Sequence, residues 1–116
     1  MTDAPNLFHD LPVASMEEDI CVLFQRSGVM IERIVSTGQA SPPGFWYDQD
    51  WTEWVVLLAG AARLRFEDEA EDRVFTPGDH VLIAPRRRHR IEWTQGEPAT
   101  LWLAVHVREE GGTKPK

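Results

Sequence analysis

A chain of 116 residues with a formal net charge of −7 implies one domain around one core, and its acidity argues against broad binding to nucleic acid or to an anionic membrane. No apolar run approaches the roughly 20 residues of a membrane helix, and Met1 to Pro5 lacks the basic-then-apolar layout of a secretory leader. Cys21 is the only cysteine, so no internal disulfide or cysteine zinc cluster can form, and a cytoplasmic setting is expected.

Residues 1–16 form a polar arm in which Leu7, Phe8, Leu11 and Val13 could dock onto the body or onto a partner subunit. Cys21 to Gln25 and Val29 to Val35 read as strands joined at Ser27-Gly28, a turn dipeptide. Ser41-Pro42-Pro43-Gly44 must be loop, because proline supplies no ladder donor. Trp54 to Leu58 is a compact apolar run that Ala59-Gly60 breaks. Ala62, Leu64 and Phe66 then alternate with polar or charged neighbours, the period of a strand with one wet face. The acidic run Glu67 to Asp72 is a solvated hairpin tip from which Arg73 to Phe75 returns. Pro77-Gly78-Asp79 turns again, with Asp79 as a turn acceptor, and His80 to Ala84 is the next strand. His89, Ile91 and Trp93 share one parity. Leu101 to Val107 is the last strand, with Trp102, Ala104 and His106 on one face, and residues 109–116 form a flexible tail. Seven to nine short strands with regular turns and no amphipathic helix predict an all-β sandwich or small barrel.

Chemistry concentrates in two places. Glu53 lies among Trp46, Tyr47, Trp51 and Trp54 at the start of a strand. If it points inward it needs a cation, a metal or a hydrogen-bond donor, because a lone buried charge is costly. His89 follows a second strand and is bracketed by Arg86, Arg87, Arg88 and Arg90. Those arginines could bind a carboxylate or phosphate bidentately, although balancing Glu67 to Asp72 and Glu92 is the simpler role for them. A direct Glu53–His89 pair would satisfy both groups without a metal, and Arg33 or Arg63 could neutralise Glu53 if either turned inward.

The two places together resemble the two motifs of the cupin superfamily. The first motif reads G-x5-H-x-H-x3-4-E-x6-G; Glu53 and Gly60 match its second half, while the histidine positions are held by Tyr47 and Gln49 under the shorter spacing and by Trp46 and Asp48 under the longer. Pro77, Gly78, Asp79, Val81, Leu82, Ile83, Pro85 and His89 follow the order of the second motif, with the proline one place later than usual. The resemblance implies a double-stranded β-helix, or jelly-roll barrel, over residues 17–108. It also implies a homodimer and an internal site for a small molecule. In such a site Gln49, Glu53 and His89 would hold a divalent metal (Fe, Mn, Zn or Ni), with a metal-free barrel as the alternative. An enzyme reading, as an oxygenase, isomerase or lyase acting on a small organic acid or aromatic compound, would use Glu53 as base or ligand and Tyr47 as proton donor. Trp46, Trp51, Trp93, His106, Arg88 and Arg90 are candidates to line the ligand cavity, whereas Trp54 and Trp102 fit packing roles better.

Overall fold

The structure is a computed structural model describing residues 3–108; the expected tail at residues 109–116 lies outside the described residues. Eight strands follow one another: β1 (Asp19–Arg26), β2 (Val29–Ser36), β3 (Thr52–Ala59), β4 (Ala62–Phe66), β5 (Arg73–Phe75), β6 (His80–Ile83), β7 (His89–Thr94) and β8 (Thr100–Val107). They form a five-stranded sheet in the order β1-β2-β8-β3-β6 and a three-stranded sheet in the order β5-β4-β7. Every named pairing is antiparallel, and the arrangement is a jelly-roll barrel. Among the described residues no helix is long and apolar enough to cross a membrane.

The alternating pattern of the sequence fills the barrel. Val55 and Leu57 from β3, Ala62, Leu64 and Phe66 from β4, Phe75 from β5, Val81 and Ile83 from β6, and Trp102 and Ala104 from β8 make one buried cluster. Trp54 points the other way, as period-2 alternation requires, and its indole donates to His80 on the outer surface at 3.3 Å. Turn chemistry fixes the register. In the Pro77-Gly78-Asp79 turn the Asp79 carboxylate accepts from the Thr76 amide at 2.8 Å and from the Thr76 hydroxyl at 3.0 Å, which holds its pKa below the usual aspartate value. Gly60 takes φ +86°, and a Cβ there would stand 2.7 Å from the Thr100 backbone, so both its backbone angle and the close crossing of β8 demand glycine.

Two expectations change. Arg63 pairs with Trp93 and Leu64 with Ile91, so Glu92 is an extra residue on β7. This bulge reverses the alternation: Thr94 is buried and Trp93 is turned out to solvent beneath the Arg63 guanidinium. The N-terminal arm is held by polar contacts more than by its apolar side chains. Arg33 donates to the carbonyls of Leu7 and His9, and Gln39 donates to that of Ser15, while Phe8, Leu11 and Val13 stay exposed. Arg33 and Arg63 therefore both face away from Glu53.

Candidate functional site

Three strands of the larger sheet carry their inward residues from a polar end to an apolar end. On β3 these are Glu53, then Val55 and Leu57; on β8 they are His106, then Ala104 and Trp102; on β2 they are Glu32, then Ile34. The polar ends meet around a cavity of about 150 Å³, comparable to one that accommodates a benzene ring.

Glu53 and His89 come from opposite sheets and face each other across this cavity, with 4.0 Å between Glu53 Oε1 and His89 Nε2. That is too long for a hydrogen bond. Both are deeply buried, at 9% and 4% exposure. The His89 Nδ1 lies 3.0 Å from the Arg87 carbonyl. A carbonyl only accepts, so Nδ1 carries the proton and Nε2 presents a lone pair to the cavity. Burial lowers the His89 pKa, outweighing the bond to the Arg87 carbonyl. Burial likewise raises the Glu53 pKa; the Glu32 and Glu18 charges push it the same way and His106 opposes them.

Tyr47 reaches the cavity through a two-residue bridge. Its amide donates to the His89 carbonyl at 2.7 Å, the His89 amide donates back at 3.2 Å, and its ring stacks on the imidazole at 5.3 Å. Burial, followed by the charges of Glu18 and Glu53, raises the phenol pKa above its ordinary value, so its hydroxyl keeps its proton at neutral pH. Gln49 also lines the cavity, and its Oε1 is buried with no hydrogen-bond partner.

A second charged group completes the wall. The Trp51 indole donates to His106 Nδ1 at 2.9 Å, and His106 Nε2 lies 2.9 Å from Glu32 Oε1. An indole can only donate, so Nδ1 is the acceptor and Nε2–H points at the Glu32 carboxylate. Glu18 accepts from the Ser36 hydroxyl at 3.1 Å; burial nonetheless raises its pKa, with Glu32 adding to the rise and the Ser36 bond opposing it.

No family model matches the chain, and no curated protein does. Solved structures do. A protein from Ralstonia eutropha JMP134, described as a "putative mannose-6-phosphate isomerase", superposes with a TM-score of 0.88 at 45% identity, covering 93% of this chain and 100% of its own. A cupin superfamily protein from Desulfitobacterium hafniense DCB-2 gives a TM-score of 0.74 at 15% identity, covering 94% of each chain. An RmlC-like cupin family protein with a double-stranded β-helix fold, from Methanocaldococcus jannaschii, gives 0.65 at 15% identity, covering 92% of this chain and 91% of its own. The chain has the cupin double-stranded β-helix fold.

Of the residues that the sequence singles out in this barrel, the cavity gathers Tyr47, Gln49, Glu53, His89 and His106. It does not gather the rest. Trp46 lies outside it, near the guanidinium groups of Arg88 and Arg90. Trp51 acts from behind, through His106, and itself lines a separate groove. Trp93 faces solvent because of the bulge. Arg88 pairs with Glu67 at 3.0 Å. Arg90 staples the proline loop, donating to the carbonyls of Ser41, Pro42 and Phe45. The neighbouring Arg87 pairs with Asp68 and Glu69, so these arginines balance the acidic hairpin and hold loops. Glu18 and Glu32 are cavity residues that the motif comparison misses; Glu32 was signalled by a charge inside the apolar strand Val29 to Val35.

A cupin barrel implies a metal, so the donor set has to be tested against one. Among the described residues, no group of three His, Cys, Asp or Glu side chains could hold a metal ion. The Glu53–His89 separation of 4.0 Å would force an angle of roughly 145° at an ion bonded to both at about 2.1 Å, far from tetrahedral. His106 is already engaged at both ring nitrogens. The residues present therefore do not fit a tightly held metal. What they offer is a set of acceptors short of a donor.

Proposed function

We propose that this cupin captures a small molecule directly with its side chains, inside the barrel, without a resident metal. One observation carries the reading. The Glu53 carboxylate and His89 Nε2 are acceptors on the wall of one cavity, and neither has a donor partner among the described residues. Buried acceptors of this kind are destabilising until a donor arrives, and a ligand bearing N–H or O–H groups is such a donor.

The Ralstonia relative's printed name raises the possibility of a sugar phosphate. This cavity does not favour one. No lysine or arginine lines it, while Glu18, Glu32 and Glu53 do, and carboxylates repel a phosphate dianion. The sheet edge supports a second copy of the chain as partner. Every residue of β1 is exposed, including Ile20, Val22, Leu23 and Phe24, and free apolar edges of this length are ordinarily covered. Light scattering is expected to show a dimer, and a monomer would remove that part of the proposal.

The test of capture uses Ile20, which is half-exposed and lines the cavity. A fragment screen followed by NMR should move the Tyr47, His89 and Trp102 signals of the wild type. Ile20→Trp should fold normally and lose those shifts. Elemental analysis of protein purified without added metal should find less than stoichiometric metal. Stoichiometric metal that disappears in His89→Ala would overturn the direct-capture reading.

A further inference from the structure

We infer that the ligand of this cavity is a small organic cation, a primary ammonium. The inference rests on direct capture and adds the chemistry of what is captured.

Geometry comes first. His89 Nε2 and Glu53 Oε1 lie 4.0 Å apart, both belong to deeply buried side chains, and both lack a donor. A nitrogen placed about 2.9 Å from each would subtend roughly 90°, near the spread between two N–H bonds of an ammonium group. An alcohol has one O–H and can satisfy only one of these groups.

Charge points the same way. Three carboxylates line the cavity and no lysine or arginine does. His106 is taken up by Glu32, through the contact at its Nε2. The arginines of the following loop are committed to Glu67, Asp68, Glu69 and Asp48. A cation entering the cavity therefore meets unbalanced negative charge, and its hydrogen bond to Glu53 would be charge-assisted. The remaining walls are apolar or aromatic: Val55, Leu64, Ile83 and Ile91, with the rings of Tyr47 and Trp102. Such walls suit a short hydrocarbon body, and ring faces attract a cation. A volume of about 150 Å³ limits that body to about the size of a single ring.

Three compounds of nearly equal size separate the possibilities: benzylamine, benzyl alcohol and benzoate, titrated at pH 7.5 by calorimetry and followed by NMR. Benzylamine, protonated at this pH, should bind at least about tenfold more tightly than benzyl alcohol, as a charged hydrogen bond warrants, and benzoate should not bind. In Glu53→Gln, shown to be folded by circular dichroism, the amine should lose its advantage over the alcohol. Equal or tighter binding of the alcohol, any preference for benzoate, or an amine preference untouched in Glu53→Gln would overturn the inference and leave capture standing. If none of the three moves a cavity signal at millimolar concentration, or all bind Ile20→Trp as they bind the wild type, capture itself fails and the inference falls with it.

Discussion

The two ends of this barrel are built by the same strands and do opposite things. At the sealed end, Leu57 and Ala62 are fully buried in contact with apolar neighbours, and burial there stabilises the fold by removing hydrocarbon from water. At the open end, Glu53 and His89 are almost as deeply buried, yet burial there works against the charged forms of both. Two residues along β3 separate the regimes, from Glu53 to Val55. The sealed end secures the fold, and the open end holds acceptors without a protein donor, which a ligand satisfies on the proposed reading. Strained or unsatisfied groups persist where the surrounding structure holds them in place.

Substitutions at the two ends should differ in sign. Leu57→Ala should be the most damaging, costing about 2–5 kcal/mol and lowering Tm by roughly 10 °C or more in a thermal melt. A smaller effect of opposite direction is expected from Glu53→Gln. Burial holds the folded carboxyl above its ordinary value of 4.5, so the folded chain keeps a proton that the unfolded chain has already released. Stability must then fall as pH rises from about the ordinary carboxylate value through the raised one. Melts from pH 4 to pH 8 should show wild type and Glu53→Gln nearly equal at the acid end, with the variant increasingly the more stable toward neutrality, by about 1 kcal/mol or more. A variant less stable than wild type at neutral pH would make the open end structural and erase the contrast. His89 tilts the other way. Its pKa is lowered, so below its ordinary value of 6.5 the unfolded chain takes up the proton first and stability falls as pH falls. Smallest of all, Arg88→Ala should change stability by no more than about 0.5 kcal/mol, because its partner Glu67 and the arginine itself are solvent-exposed. A larger loss would mean that the loop arginines belong to the site after all.

Strand positions were legible because alternation and turn residues act locally. The run Ala62 to Phe66 and the turn at Pro77-Gly78-Asp79 say nearly all that is needed about where strands begin and which face is wet. The convergence of Glu53 and His89 depends on long-range closure, and only the motif resemblance carried that information. Trp93 shows the limit of counting by twos: one extra residue at Glu92 turns it from the cavity to solvent, and nothing in its neighbours' side chains announces the bulge. Glu32 shows the reverse. It shares Ile34's parity and faces inward with it, but a charge in an apolar strand carries no hint that His106, 74 residues away, would meet it. The arginines were ambiguous until their acidic partners on the β4–β5 hairpin came into range.

Trp51 gives this barrel an optical window onto its own interior. The indole sits half-shielded at the rim, tied to an imidazole whose far side grips a carboxylate of the chamber. Anything that pulls that carboxylate toward itself tugs the chain of three, and the emission of Trp51, isolated by subtracting the spectrum of Trp51→Phe, becomes a label-free gauge of occupancy.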